Sequence, residues 1–311
     1  MKKFFYICAL AAIAATALSC NKETTPVKMK NISVDMGCPE VEPASKTQLY
    51  NNTLNVYWSY GDKNIICFTN NSVGDSKGYG LSSTQNGTLA SKTFTGEIPD
   101  GDEPMFYIFD RNRTQSGNFT FKKGSATYFA VFSDPDQRLK SAPWGNTFHT
   151  GCNYAIALPG DATFTSVFGY LKWTNNGTAI KSVKMEPLVS NENIVGQIKI
   201  SLKNGALVFE HAWNSGTNYI LTGINADNSN IPANNSYYAI VYPREYNGLK
   251  LTITLASGGE IAIKTPAGKT VTVERGKYFD LGVLPIVAPT KAVSGMLLPG
   301  TGDMSEGWIL E

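Results

Sequence analysis

The sequence predicts an all-β protein built as two antiparallel β-sandwich domains in tandem. Three observations predict it. Short apolar runs with alternating or β-branched composition recur along the chain. Asn-Gly, Gly-Gly and Pro-Ala-Gly clusters, the chemistry of tight turns, separate them. After Cys20, no window of about 12 residues or more keeps a helical period. Composition agrees: charged residues are 17% of the chain, below the ~25% of ordinary domains, and Asn, Thr, Ser and Gly take their place. The 42% apolar content supplies a sizeable core, and the length makes two domains the prior expectation.

The first element is not part of the fold. Lys2 and Lys3 precede an apolar stretch from Phe4 to about Leu18, and Ala17-Leu18-Ser19-Cys20 follows. Two cations, a short apolar run and a small residue at the cut are the parts of a secretory signal. A Cys at the cut resembles a bacterial lipobox, with residues 1–19 removed and the Cys20 thiol acylated. The other readings are an ordinary signal peptide with a chance Cys, or a short anchor. A bilayer span needs ~20 apolar residues, more than are present. An acylated Cys20 would hold the chain on a membrane, each buried methylene contributing ~0.8 kcal/mol.

Cleavage before Cys20 takes away Lys2 and Lys3, leaving 25 basic residues from 27 against 25 acidic ones. A chain with zero net side-chain charge has no electrostatic footprint for nucleic acid or an anionic lipid surface. Beyond Cys8 and Cys20 the chain holds Cys38, Cys67 and Cys152, an odd number without CxxC or zinc spacing. They read as small buried hydrophobes, with one disulfide among them as the alternative.

Residues 20–45 form a polar tether carrying one short strand. Ile32, Val34 and Met36 alternate with Ser33 and Asp35, so they share a strand face, and Gly37 and Pro39 end it. Strand patterns follow at 54–58, 65–68, 105–109, 126–132, 164–173, 180–185, 198–202, 206–209, 237–242, 249–255, 260–264 and 270–273. Tyr128-Phe-Ala-Val-Phe132 before Pro135 echoes Tyr237-Tyr-Ala-Ile-Val-Tyr-Pro243, 109 residues on, which suggests one copy per domain. Chance likeness of β-rich runs is the other explanation. Leu158-Pro159-Gly160-Asp161 is the best boundary, giving domains at 46–159 and 160–285 and a tail at 286–311.

A resemblance joins these pieces. The lipobox-like start and the short strand are followed by Ser45-Lys46-Thr47 and Val56-Tyr57-Trp58-Ser59-Tyr60-Gly61-Asp62. Phe94-Thr95-Gly96, the strand ending at Pro243 and Val273-Glu274-Arg275-Gly276-Lys277-Tyr278-Phe279-Asp280-Leu281 come later. This ordered set resembles the fimbrillin family of Bacteroidales, the Mfa-like group, over most of the chain. The resemblance implies two tandem transthyretin-like β-sandwiches and a part in type V pili built from lipoprotein precursors. It also implies that a trypsin-like protease removes the N-terminal strand, and that a strand from another subunit fills the groove by β-augmentation. Lys46 stands at the cut and Thr47 would begin the shortened chain; the best-known subunits carry Arg where Lys46 stands. Ile32, Val34 and Met36 would belong to the removed strand. Without the resemblance, Lys46 reads as an exposed loop lysine and the strand as a permanent edge.

In the tail, Pro285, Pro289, Pro299 and several glycines argue against a central strand. Val287, Val293 and Leu297 share one parity, which makes the segment a candidate donor. Trp308-Ile309-Leu310 is apolar enough to require docking on its own domain or a partner.

Chemistry for catalysis is sparse. There are two histidines, His149 and His211, and no HExxH, GxSxG or phosphate-loop motif. Asp100-Gly101-Asp102-Glu103 and Asp134-Pro135-Asp136 read as solvated acidic turns, with Ca²⁺ binding as the rival. No enzyme activity and no cofactor are expected. Trp144 and Trp213, in loops beside Asn, are either core anchors or candidate glycan contacts. Two functions therefore compete, ahead of a third reading as a secreted hydrolase. One is a pilus subunit or fimbrillin-like adhesin at the outer-membrane surface, joining other subunits by donor-strand exchange and contacting a host or bacterial protein or glycan. The other is a surface glycan-binding lipoprotein that never polymerises.

Overall fold

The computed structural model describes residues 26–37, 64–71, 78–86, 89–110, 128–132, 136–139, 154–175, 177–190, 192–212, 221–225, 230–231, 233–286 and 293–311. The strands of the first half are β1 (Met29–Gly37), β2 (Asn64–Thr69), β3 (Tyr79–Ser82), β4 (Ser91–Pro99), β5 (Pro104–Asp110), β6 (Tyr128–Phe132), β7 (Asp136–Leu139), β8 (Tyr154–Ala157) and β9 (Thr165–Ser166). Next come β10 (Gly169–Thr174), β11 (Ile180–Pro187), β12 (Gln197–Lys203), β13 (Ala206–Ala212), β14 (Leu221–Asn225) and β15 (Ser236–Val241). The last are β16 (Glu245–Tyr246), β17 (Leu249–Leu255), β18 (Glu260–Lys264), β19 (Val271–Thr272), β20 (Tyr278–Val283), β21 (Leu297–Leu298) and β22 (Trp308–Leu310). No α-helix occurs among the described residues; Gly302–Met304 makes one 3-10 turn.

These strands form layers. The first is a seven-stranded antiparallel sheet in the order β1-β4-β3-β2-β5-β8-β9. Its central strands are apolar on both faces, as strands buried on both sides must be. Ile65, Cys67, Tyr107, Phe109, Ala155 and Ala157 enter one core, which also holds Met36 and Phe94. Phe68, Phe106, Ile108, Tyr154 and Ile156 enter a second core on the other face, where Phe68 and Phe106 stack with ring centroids 4.9 Å apart.

That second core is shared with the other half of the chain. Tyr170, Tyr238 and Ile240 enter it from a three-stranded sheet, β15-β10-β20. The opposite face of this middle sheet sends Leu171, Trp173, Tyr237, Ala239 and Val241 into a third core. The third core is closed by the second seven-stranded sheet, β21-β22-β18-β17-β11-β14-β7. Ile198 and Ile200 of a smaller sheet, β13-β12-β6, seal the side of the shared core.

The all-β expectation holds, with two additions. First, β10 pairs in parallel with β20, and β7 in parallel with β14, within otherwise antiparallel sheets. Second, β6 and β7 lie in the first half of the sequence but pair with β12 and β14 of the second half. The two echoed strands, β6 and β15, each end a three-stranded sheet. Leu158–Asp161, expected as a boundary, is the turn between the paired strands β8 and β9, where Leu158 N donates to Asp161 Oδ2 at 2.7 Å.

The tail docks on its own chain. β22 pairs with β18, and Trp308, Leu310, Leu298 and Met304 enter the third core. Leu297 and Val293, two of the three residues sharing a parity in the expected donor segment, are 58% and 69% exposed; Val287 lies outside the described residues. Glu311 is held between Lys250 Nζ at 2.5 Å and Lys264 Nζ at 3.0 Å. Gly282 makes the close fit of the tail possible. Its φ is +72°, and a Cβ there would sit 2.2 Å from the Thr301 carbonyl oxygen.

Candidate functional site

β1 is the feature on which the sequence and the structure converge. It is the outermost strand of the first sheet and pairs with β4 through all nine residues, from Met29↔Pro99 to Gly37↔Ser91. Ile32 and Val34 are half-buried against the first core and Met36 is fully buried in it, while Asn31, Ser33 and Asp35 face solvent. The period of two in the sequence produces this division, since successive strand side chains point to opposite faces.

What lies beneath β1 is an elongated strip. β4 offers Phe94 opposite Val34, Gly96 opposite Ile32 and the buried Lys92 opposite Met36. A Cβ on Gly96 would stand 2.7 Å from the Gly80 carbonyl oxygen, so glycine lets β3 approach there. On its inner side β4 has one registered pair with β3, Ser82↔Thr95. β1 is therefore the main hydrogen-bonding partner of β4.

Both ends of β1 are fastened. At the start, Lys28 Nζ lies 3.0 Å from Asp100 Oδ2, Lys30 Nζ 3.0 Å from Glu103 Oε1, and Asp100 N donates to the Lys28 carbonyl at 2.7 Å. In the middle, Thr93 Oγ1 donates to Asp35 Oδ1 at 2.6 Å. At the end, Gly37 N donates to the Ala162 carbonyl at 2.8 Å and the Gly37 carbonyl accepts from Phe164 N at 3.4 Å. Reading the sequence for apolar alternation alone begins this strand at Ile32 and leaves Lys28 and Lys30 as tether charges. The missed signal is their parity with Ile32, Val34 and Met36.

The acidic turn at Asp100–Glu103 is thus engaged with β1. Asp102 is buried: Thr69 Oγ1 donates to its Oδ2 at 2.7 Å and Asn71 Nδ2 to its Oδ1 at 2.6 Å. The bond from Asn71 foremost, then that from Thr69, holds this carboxyl below the usual carboxylate range, against the opposing effect of burial. No trio of acidic, Cys or His side chains arranged for a metal occurs among the described residues. A carboxyl lowered in the folded state adds stability that is complete above its unfolded value, about pH 4, and fades as pH falls through the folded value. Asp102→Asn should therefore cost most near neutral pH and progressively less on acidification. Urea midpoints measured from about pH 6 down to about pH 2.5 check this.

Cys67 is a free thiol buried in the first core, and burial pushes it up to about 12, so it is an inert packing group. Cys20, Cys38, Lys46, Thr47, Trp144, Cys152 and Trp213 lie outside the described residues. A well-formed polar cluster elsewhere is structural. Glu192, 3% exposed, accepts from Asn247 N at 3.1 Å and Asn247 Nδ2 at 2.7 Å, with Arg244 3.6 Å away. No described helix is long and apolar enough to cross a membrane.

Searches against protein-family models, curated proteins and solved structures return no match to this chain.

Proposed function

We propose that this chain is a fimbrial subunit or fimbrillin-like adhesin. It is exported as a lipoprotein precursor acylated at Cys20 and built of two transthyretin-like β-sandwiches. It assembles by strand exchange once its N-terminal strand is removed. The observation that carries the reading is the position of β1, an edge strand paired through nine residues with one neighbour and seated by one apolar row. Loss of such a strand leaves both an unpaired main-chain edge and an apolar strip, the two things that β-augmentation completes. The wider basis is the ordered resemblance of the sequence to the fimbrillin family.

The deciding experiment is the intact mass and N-terminal sequence of the protein taken from the native cell surface. A chain beginning at Thr47 without acyl groups is the expected result for an assembled subunit. Trypsin-like treatment of the precursor should then yield a shortened protein that forms ladders on gels. Surface protein that keeps its acylated Cys20, together with a trypsin-shortened form that stays monomeric, would overturn the proposal in favour of a tethered glycan-binding lipoprotein.

A further inference from the structure

Resting on the strand-exchange reading, we propose that the Asp100–Glu103 turn selects the strand that enters beside β4. The acceptor takes an antiparallel strand with two basic residues at alternate positions directly before an alternating apolar row. β1 displays this pattern in a single parity: Lys28, Lys30, Ile32, Val34, Met36.

The argument turns on what each group can discriminate. The apolar row decides which face of an incoming strand turns inward, but a slip of two residues preserves that face. Such a slip moves each cation by about 6.8 Å along the edge. Because the lysines stand two residues apart, the slip puts one of them in the other's place and loses one of the two contacts, Lys28–Asp100 or Lys30–Glu103, each 3.0 Å long. The ion pairs thus help separate registers that share the same inward face. They also set direction, because Asp100 and Glu103 lie at one end of the acceptor, beside the start of β1. A strand laid in the reverse sense would carry its cations away from the carboxylates and bring its apolar residues to them.

The test keeps the whole chain. A specific protease site is placed between Gly37 and Asn64 and cut, so that the released N-terminal piece stays seated. A fluorescent peptide of residues 26–37 then competes for the edge, beside the same peptide carrying Lys28→Glu and Lys30→Glu. The lysine peptide should enter at least tenfold more readily, roughly what two exposed ion pairs and their reversal supply. The preference should shrink toward unity in about 1 M salt. An Asp100→Lys/Glu103→Lys chain should invert it. Both positions are exposed, the side chains being 44% and 72% accessible, so this chain should keep its circular dichroism spectrum. Equal entry of both peptides would overturn the charge selection while leaving strand exchange standing. Entry of neither, even at denaturant concentrations that loosen the seated strand, would overturn strand exchange and this proposal with it.

Discussion

Trp308→Ala should cost about 3–5 kcal/mol of folding stability, the range for a large aromatic removed from a packed core. Trp308 is 0% exposed and belongs to the third core with Trp173, Leu251, Ile263 and Leu298. Among the described residues its strand β22 joins β21 to the rest of the sheet, since β21 pairs with β22 and β22 with β18. The substitution should therefore loosen the whole segment 297–310 as well as lower the guanidinium midpoint. Hydrogen exchange at Leu297, Leu298 and Ile263 would report this directly. Trp308→Phe gives the contrast. The indole Nε1 is buried and finds no hydrogen-bond partner among the described residues, so losing it sacrifices no bond seen there. Phe should cost less than half as much as Ala. A midpoint unchanged by Trp308→Ala would mean that the tail contributes nothing to the third core.

Removing β1 from the nicked chain should cost about 4–6 kcal/mol. Burial of a side chain such as Met36 supplies about 1.5–3 kcal/mol. The half-buried Ile32 and Val34 supply a similar amount between them, and the ladder to β4 adds a net contribution of about 1 kcal/mol per bond where water does not replace it. The damage should be local. β4 would be left with its single registered pair to β3, so amides from Lys92 to Ile98 should exchange fastest. The peptide 26–37 added in excess should restore both midpoint and protection by mass action. Unaltered protection at Phe94 after removal would show that β4 does not depend on β1.

The parts of the fold visible in the sequence are those governed by local pattern. β1, β2, β5, β15 and β17 show alternation or β-branched runs that a window of six residues contains. β7 and β14 show none. Asp-Gln-Arg-Leu and Leu-Thr-Gly-Ile-Asn carry no alternation, and the two strands pair with each other from positions 86 residues apart, as in Thr222↔Asp136. Asp136, read as the end of an acidic turn, begins β7 instead. β8, Tyr-Ala-Ile-Ala, is buried on both faces and too short to show a period. Glycines and prolines argue against a central strand in the tail. The strands there are two and three residues long, set between glycine turns such as Gly307 at φ +95°. At the candidate site the apolar row was legible, and the acidic turn was visible as a turn. That the turn faces Lys28 and Lys30 is a tertiary fact which no local pattern contains.

The pairing of β10 with β20 has a kinetic meaning. Lys172 and Asp280 face one another across these parallel strands from positions 108 residues apart. The middle sheet carries two of the three cores, and it cannot close until Tyr278–Val283 has emerged. β6 and β7 wait in the same way for β12 and β14. Closing such long loops costs entropy before any contact repays it, and a topology of this kind folds slowly with unpaired edges exposed. Refolding from denaturant should therefore be slow for the chain's size, with the two halves appearing in a single late step. A holding chaperone that shields β6, β7 and β10 should raise the yield of native protein by suppressing aggregation, without speeding its folding.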